Sequence, residues 1–141
     1  SILAFDISEA ILQKARSGQY SAFQVNRGLG PERIARHFTK VGDNYLAQPR
    51  LMKAIQYRSF NILSGLAGIG QHDVVFCRNV LIYFDEPTKA QILGSLSRAM
   101  PGDGVLILGS SETMLRDGGL FVPEKNGRGV FLRVAKTALA S

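Results

Sequence analysis

Residues 76–85 read Phe76-Cys77-Arg78-Asn79-Val80-Leu81-Ile82-Tyr83-Phe84-Asp85, directly after the run His72-Asp73-Val74-Val75 and a Gly-rich loop. The apolar part of this sequence predicts a buried strand, and Cys77, Arg78 and Asn79 fall where that strand should end. An apolar strand that stops in polar residues and leads into a helix is how open α/β sheets build ligand sites. A short apolar run also occurs in ordinary protein cores, so the pattern alone leaves both interpretations open.

Other segments of the chain strengthen the first interpretation through their shared order. In sequence they are Ala4-Phe5-Asp6-Ile7-Ser8, Ala15-Arg16-Ser17-Gly18-Gln19-Tyr20, Arg36-His37-Phe38, Phe60-Asn61-Ile62-Leu63, Pro101-Gly102-Asp103-Gly104 and Leu108-Gly109-Ser110-Ser111-Glu112. Together with residues 76–85 they closely resemble the catalytic domain of chemotaxis receptor methyltransferases, the CheR family. The resemblance implies transfer of a methyl group from S-adenosylmethionine to glutamate side chains, with S-adenosylhomocysteine as the product.

The resemblance also implies a fold and a domain organisation. We expect an α/β fold: a truncated Rossmann-like sheet of the S-adenosylmethionine-dependent methyltransferase type, with a small antiparallel β subdomain inserted. Residues 1–141 would form one partial catalytic domain, in which residues 38–60 hold the insertion and the third main strand. The family's N-terminal helical domain, first strand and Gly-rich loop have no counterpart here, so we expect this chain by itself to be inactive.

Local signals predict most of the individual elements. Ser8 is expected to cap a helix that ends at Gly18, and Pro31 to open another that runs through Arg36. Asp85 is expected to cap a longer helix that Pro101-Gly102 stops. The longer helix has an apolar stripe with a period of 3.6 residues, and its members are Ile92, Leu93, Leu96, Ala99 and Met100. Residues 105–108 predict the fifth strand, and residues 121–123 and 130–134 predict a closing antiparallel pair.

Composition limits the classes of function. The chain has 141 residues, of which 45% are hydrophobic and 20% charged, values typical of a globular domain. No apolar run approaches the roughly 18 residues that a membrane helix needs, so we expect no membrane insertion. The single cysteine excludes an intrachain disulfide and is compatible with a cytoplasmic location. It also lacks the partners for a metal site, and we expect no metal.

The net charge of +6, from 17 basic and 11 acidic residues, favours anionic partners. A solvated basic surface explains the charge equally simply. The basic residues are scattered and lack a nucleic-acid-binding signature, so we expect no nucleic acid. The resemblance implies an acidic protein partner instead, either the cytoplasmic helices of a chemoreceptor or another acidic signalling protein.

Three residues near the first half of the expected sheet are candidates for cofactor binding. Asp6 ends the second strand of the family, where a carboxylate can accept hydrogen bonds from both ribose hydroxyls of a nucleoside. Its alternatives are a helix cap or a solvated loop acid. By resemblance, Asn61 and Ile62 contact the adenine, one at its polar edge and the other at its face. A turn asparagine is the ordinary alternative for Asn61.

Three residues of the central string complete the predicted site. By resemblance, Cys77 and Arg78 hold the cofactor, partly through backbone groups. Cys77 could equally be a small buried hydrophobe, and Arg78 an ion-pair partner. An arginine there can also orient a carboxylate through paired hydrogen bonds. Tyr83 is expected to present its hydroxyl to the acceptor carboxylate, and its alternative is an aromatic core residue between Ile82 and Phe84. We therefore predict Tyr83 and Arg78 as catalytic residues.

The expected chemistry needs no general base. A glutamate carboxylate is already ionised at neutral pH, so the protein has to desolvate it and align it with the methyl–sulfur bond.

A different class of function remains open, a non-catalytic adapter or cofactor-sensing module in a signalling pathway. In the family fold the first strand separates the second from the fourth, so we also expect unpaired strand edges and a homodimer.

Overall fold

The computed structural model describes residues 1–112, 118–126 and 129–135 of the chain. The strands are β1 (Ile2–Asp6), β2 (Gln19–Ser21), β3 (Phe38–Val41), β4 (Asn44–Ala47), β5 (Ile55–Ser59), β6 (Val74–Cys77), β7 (Val105–Leu108), β8 (Phe121–Asn126) and β9 (Gly129–Val134). The helices are α1 (Glu9–Ser17), α2 (Ala22–Asn26), α3 (Pro31–His37), α4 (Pro49–Lys53) and α5 (Glu86–Arg98). Parallel and antiparallel sheets occur together, which confirms the predicted α/β class. The chain divides into two units, Ser1–Asn61 and Ile62–Ser141, each with its own sheets.

The first unit contains a parallel pair of strands. β1 runs beside β5 in a register that places Ile2 opposite Ile55 and Asp6 opposite Ser59. Helix α1 follows β1 directly. The Ser8 hydroxyl accepts a hydrogen bond from the N–H of Ile11, and the helix ends at Gly18 with φ 64°. Both ends of this helix lie where the sequence predicted them.

The first unit also contains a three-stranded antiparallel sheet in the order β2-β4-β3. Tyr20 on β2 and Phe38 on β3 meet edge to face with ring centroids 5.7 Å apart. The sequence predicted a small antiparallel sheet in this part of the chain, but it did not predict that β2 would join it from upstream. It also missed α2 and α4, which are only five residues long each.

The second unit is built on a four-stranded sheet in the order β6-β7-β9-β8. β6 and β7 are parallel, and α5 lies between them in sequence. β9 is antiparallel to both β7 and β8, as the sequence predicted for the closing pair. Two residues between β8 and β9, Gly127-Arg128, lie outside the described residues.

Helix α5 and the two residues after it supply a large part of the core of the second unit. The Asp85 carboxylate accepts a hydrogen bond from the N–H of Thr88 and so caps the helix, as predicted. Every residue of the predicted apolar stripe is at most 7% exposed. The side chains that are less than 2% exposed come from α5 and the segment just after it, from β7 and from the turn after β6. They include Leu81, Ile92, Leu93, Met100 and Leu106. Among the described residues, no helix is long and apolar enough to cross a membrane.

Candidate functional site

Two predicted site residues meet at the carboxyl end of the parallel pair in the first unit. Asp6 is the last residue of β1, and its carbonyl accepts a hydrogen bond of 3.0 Å from the N–H of Phe60. Asn61 is the next residue along the chain. The Phe5 and Phe60 rings contact each other edge to face at 5.3 Å, which fixes the two strand ends side by side. The structure therefore brings Asp6 and Asn61 to the same edge of the sheet.

The Asp6 carboxylate already has a structural partner. Its Oδ1 accepts a hydrogen bond of 2.8 Å from the N–H of Ser8, which holds the turn between β1 and α1. Ser8 itself caps the helix, so Asp6 braces the turn and is not the cap. A carboxylate can accept hydrogen bonds at both oxygens. Its role in the turn is therefore compatible with a second bond to a ligand hydroxyl.

Ile62 belongs to the second unit, where it begins a 3-10 turn that ends at Ser64. Its side chain is half-buried. The turn packs against α5 within the same unit. Asp6 and Asn61 thus lie in one unit, and Ile62, Cys77, Arg78 and Tyr83 in the other. That these residues share one cofactor site stays a prediction.

Cys77 ends β6 and is 4% exposed. Burial, with a smaller contribution from the negative charge of Glu112, raises the pKa of its thiol to about 11. A thiol with this pKa is neutral at pH 7 and is a poor nucleophile or metal ligand. Its side chain therefore acts as a small buried hydrophobe, and any contact that it makes with a ligand would have to come from its backbone. Arg78, the next residue, is exposed.

The chain turns sharply after Arg78. Asn79 has φ 59°, in the left-handed region that asparagine tolerates better than most residues. A 3-10 turn then runs from Leu81 to Tyr83. Leu81 is completely buried, whereas the Tyr83 ring is 79% exposed. The core residue of this segment is therefore Leu81, and Tyr83 is free to contact another molecule.

The residue that sequence reasoning missed is Glu112. It is only 4% exposed, and its carboxylate accepts four backbone hydrogen bonds. Oε2 accepts from the N–H groups of Asn79 and Gly109, both at 2.7 Å. Oε1 accepts from those of Val80 at 2.9 Å and Leu81 at 2.8 Å. The sequence signal was a lone acid three residues after a glycine that follows an apolar strand, and such a signal does not identify its distant partners.

The electrostatics of Glu112 follow from these contacts. Burial alone would raise the pKa of its carboxyl group, but the hydrogen bonds from Asn79, Gly109, Leu81 and Val80 outweigh burial and lower it. Glu112 is therefore ionised at neutral pH. The carboxylate joins the end of β7 to the turn that follows β6, where Arg78 and Tyr83 lie on either side.

The described residues contain no group of three or more His, Cys, Asp or Glu side chains that could hold a metal ion. The parts that they do provide are a carboxylate and an amide at one pair of strand ends, and an exposed arginine and tyrosine at another. Such groups can bind hydroxyl groups, polar base edges and carboxylates. They suit binding and orientation better than proton transfer.

Comparison with known proteins identifies what these strand ends resemble. Residues 1–128 match the family described as CheR methyltransferase, SAM binding domain. The chemotaxis protein methyltransferase Cher2 of Pseudomonas putida is 38% identical over 114 residues, which are 80% of this chain and 42% of that protein. The chemotaxis protein methyltransferase of Vibrio parahaemolyticus is 36% identical over 115 residues, 81% of this chain and 42% of that protein.

A third relative has a different name. The probable biofilm formation methyltransferase WspC of Pseudomonas aeruginosa is 34% identical over 114 residues, 79% of this chain and 27% of that protein. The matches to the two chemotaxis proteins span about two fifths of their length.

Proposed function

The chain belongs to the CheR methyltransferase family, as its SAM-binding domain. From this membership we propose that the intact protein that contains this domain methylates glutamate side chains of a chemotaxis receptor, and this intact protein is the one used in the binding and activity tests below. The cofactor of this family is S-adenosylmethionine. The observation that carries the proposal is the match over residues 1–128, which includes every residue of the predicted site. The position of Asp6, Asn61, Cys77 and Arg78 at or near strand ends supports it further.

The side chains of Asp6 and Asn61, in the first unit, fit the adenosine end of the cofactor. The Asp6 carboxylate would accept hydrogen bonds from the ribose hydroxyls while it holds the turn through Oδ1. Asn61 would read the polar edge of the adenine, and Ile62 would cover one face of the ring. Cys77 would contribute backbone groups, because its thiol is neutral and buried.

The second part of the proposal concerns the acceptor glutamate. The cofactor, when bound, supplies an electrophilic methyl group. Tyr83 would donate a hydrogen bond to the acceptor carboxylate, and its exposed ring supports this role. Arg78 would contact the cofactor and also orient a carboxylate through paired hydrogen bonds. An ionised acceptor needs no general base, so these residues would act by alignment and by excluding water.

Calorimetry with S-adenosylhomocysteine tests the binding half of the proposal. The sharpest variant is Asp6→Asn, because the amide oxygen can still accept from the N–H of Ser8 while the charge is lost. We expect its affinity to fall about tenfold or more, the loss of a charge-assisted hydrogen bond. The matched control is Asp43→Asn, at an exposed turn between β3 and β4, which should bind like the wild type. Equal affinity in both variants would remove Asp6 from the site.

Methyl transfer to an acidic receptor helix tests the catalytic half. Tyr83→Phe should lower kcat and leave the affinity for S-adenosylhomocysteine nearly unchanged, because the proposed contact is with the acceptor. Tyr45→Phe on β4 is the control. Equal losses of binding and transfer would make Tyr83 a packing residue. Cofactor binding without methyl transfer by the intact wild-type protein would favour the adapter or sensor alternative.

The charge of the first unit supports an acidic partner. Nine of the 17 basic residues but only four of the 11 acidic ones lie in Ser1–Asn61. Arg33 and Arg36 are exposed one turn apart on α3, and Arg50 donates to the Arg36 carbonyl at 3.2 Å. None of these three arginines forms an ion pair within the described residues, where the paired cations are Arg16, Lys89 and Arg133.

We propose that this group of Arg33, Arg36 and Arg50 attracts acidic receptor helices. Arg33→Glu should weaken binding of an acidic helix at low salt and reduce its salt dependence. Lys14→Glu, another exposed charge reversal in the same unit, is the control. If both proteins lose affinity equally, only the net charge of the unit matters and the group has no special role.

A homodimer and a cytoplasmic location complete the proposal. β1 and β6 each have one hydrogen-bonded neighbour among the described strands. Both carry exposed apolar side chains, at Ile2, Val74 and Phe76. Such edges pair readily with another chain, which supports association between two copies.

The single cysteine supports a cytoplasmic location, because it forms no disulfide within the chain and so fits a reducing compartment. Fractionation of cells would test this location.

A further inference from the structure

The surroundings of Glu112 are unusual for a buried charge. Among the described residues no lysine, arginine or histidine forms an ion pair with its carboxylate. Compensation comes instead from four backbone N–H groups. Three of them are consecutive, from Asn79, Val80 and Leu81, and they converge on one point. Successive N–H groups of this kind form a concave site for an anion, and here the protein fills that site with its own side chain.

The backbone of Asn79 is shaped for this contact. Its φ of 59° lies in the left-handed region, and this conformation turns the following N–H groups toward the carboxylate. Gly109 closes the site from the other strand. A Cβ at position 109 would lie 2.4 Å from Asn79 Oδ1 and 2.7 Å from Glu112 Oε2. The site is therefore closed around the carboxylate on both sides, and the end of β7 is tied to the turn after β6.

The turn of Asn79–Leu81 and the Glu112 carboxylate that binds its three N–H groups are called the clamp below. This turn lies between two residues of the proposed site. Arg78 immediately precedes the three N–H donors, and Tyr83 follows them at the end of the 3-10 turn. Leu81 is fully buried within the clamp, whereas the Tyr83 ring is exposed. An exposed side chain keeps a defined direction only if its backbone is held, so the position of the Tyr83 hydroxyl depends on this turn.

We propose that Glu112 is a positioning residue, whose carboxylate locks the turn of Asn79–Leu81 and thereby holds Arg78 and Tyr83 in the orientation that methyl transfer needs. This inference rests on the proposed function. Glu112 is not itself in contact with substrate or cofactor in this scheme, since its oxygens are engaged by the backbone. Its effect on the reaction passes through the turn.

Glu112→Gln is the direct test, because the amide has nearly the same shape but loses the charge and sets an NH₂ group against backbone donors. We expect kcat for methyl transfer to fall at least about tenfold, with a much smaller change in the affinity for S-adenosylhomocysteine. Rates are compared at a temperature where both proteins are fully folded. Glu112→Asp retains a carboxylate with a shorter reach, and we expect it to recover part of the lost rate.

Glu124→Gln is the matched control. Glu124 lies exposed on β8 in the same unit and pairs with Arg133. Its variant should transfer methyl groups at the wild-type rate. If Glu112→Gln is as active as Glu124→Gln, the positioning role is overturned. An intact wild-type protein that neither binds S-adenosylhomocysteine nor transfers methyl groups would instead overturn the proposed function.

The clamp itself has a readout that needs no activity. Cys77 is the only cysteine and lies two residues before the first clamped N–H group. Opening of the turn should raise its alkylation rate by iodoacetamide at least about tenfold in Glu112→Gln. Loss of the Glu112 charge also removes the smaller of the two causes that raise the thiol pKa, and this effect alone would increase the alkylation rate at neutral pH.

Glu112→Asp separates these two effects, because it keeps the charge while weakening the hydrogen bonds. We expect Glu112→Asp also to be alkylated several-fold faster than the wild type, an increase that loss of the charge cannot explain. An unchanged alkylation rate in both Glu112 variants would overturn the clamp. If Glu112→Gln does not fold, the Asp variant alone decides between these outcomes.

Discussion

At the scale of single residues, Gly109 shows how closely the backbone approaches the Glu112 carboxylate. It donates its N–H to Oε2, and its carbonyl accepts the N–H of Glu112 at 3.0 Å. No side chain fits there, because a Cβ would meet both Asn79 and Glu112 at less than 3 Å. The glycine is needed for space, since its φ is not positive.

Alanine substitutions at two glycines of the second unit should therefore change stability in opposite directions. Gly109→Ala should lower the free energy of unfolding by about 1–3 kcal/mol, the usual cost of overpacking. Gly94→Ala should raise it by about 0.5–1 kcal/mol, because an alanine within a helix loses less conformational entropy than glycine. A Cβ at position 94 makes only ordinary contacts, the nearest at 3.5 Å from Arg98 Nη1. Urea unfolding measures both, and a neutral Gly109→Ala would contradict the close packing.

The ionisation of Glu112 predicts a pH dependence of stability. Its folded pKa lies below the unfolded value of about 4.3. Glu112 therefore stabilises the fold above that pH, and its contribution is lost as the pH falls through the folded pKa. The pKa of Asp85 is also lowered, chiefly by its hydrogen bonds with Thr88, but Asp85 is present in both proteins to be compared.

We expect the wild-type free energy of unfolding to fall more steeply on acidification below about pH 4.3 than that of Glu112→Gln. Chemical unfolding at a series of pH values measures the difference. Because loss of the Glu112 charge also changes the Cys77 thiol, the comparison is confined to acidic pH, where that thiol is neutral in both proteins. Parallel profiles would mean that Glu112 titrates normally.

At the scale of elements, α5 was the easiest part to predict. Its cap, its proline in the first turn and its apolar stripe all indicate the same helix, and all lie within a short segment of sequence. Strands β6 and β7 were predicted for the same reason, because each is a short apolar run that follows a loop rich in glycine. β2 was missed because three residues are too few to show a period. α2 was missed although Ser21 and Gln24 form a capping box, because only one of its residues is buried.

The candidate site could be predicted only where the sequence carries a local signal for it. Asp6 and Asn61 meet because parallel strands bring their carboxyl ends together, a rule that sequence order suffices to apply. The burial of Leu81 and exposure of Tyr83 were not predictable from an uninterrupted apolar run, since a 3-10 turn interrupts the strand pattern there. Glu112 was missed because its partners lie 31 to 33 residues away, except for Gly109.

Helix α5 should also dominate the stability of its unit. Leu93→Ala removes a side chain that is 1% exposed, and it should lower the free energy of unfolding by about 2–5 kcal/mol through lost burial and the cavity left behind. Gln91→Ala, two residues earlier on the exposed side, should change it by less than about 0.5 kcal/mol. Urea denaturation compares the two variants. A small effect at Leu93 would mean that the unit's core lies elsewhere.

At the scale of the whole molecule, the free strand edges determine how two copies could associate. The four-stranded sheet has two edges, β6 and β8. Val74 and Phe76 on β6 are 51% and 71% exposed, and Val122 on β8 is 55% exposed. β6 therefore carries the larger exposed apolar side chain, Phe76. Val74 and Phe76 lie on the same face of the sheet, because side chains alternate along a strand.

We expect sedimentation at micromolar protein to show a dimer that Val74→Lys weakens, because a lysine on an edge strand opposes pairing with another chain. Val122→Lys makes the same change on the opposite edge and should leave the dimer intact. The reverse pattern would assign the interface to β8. A wild-type protein that stays monomeric and folded at these concentrations would show that its edges do not recruit a second copy, and the homodimer would then be wrong. The exposed apolar side chains of β6 would in that case need a partner other than a second copy of this chain.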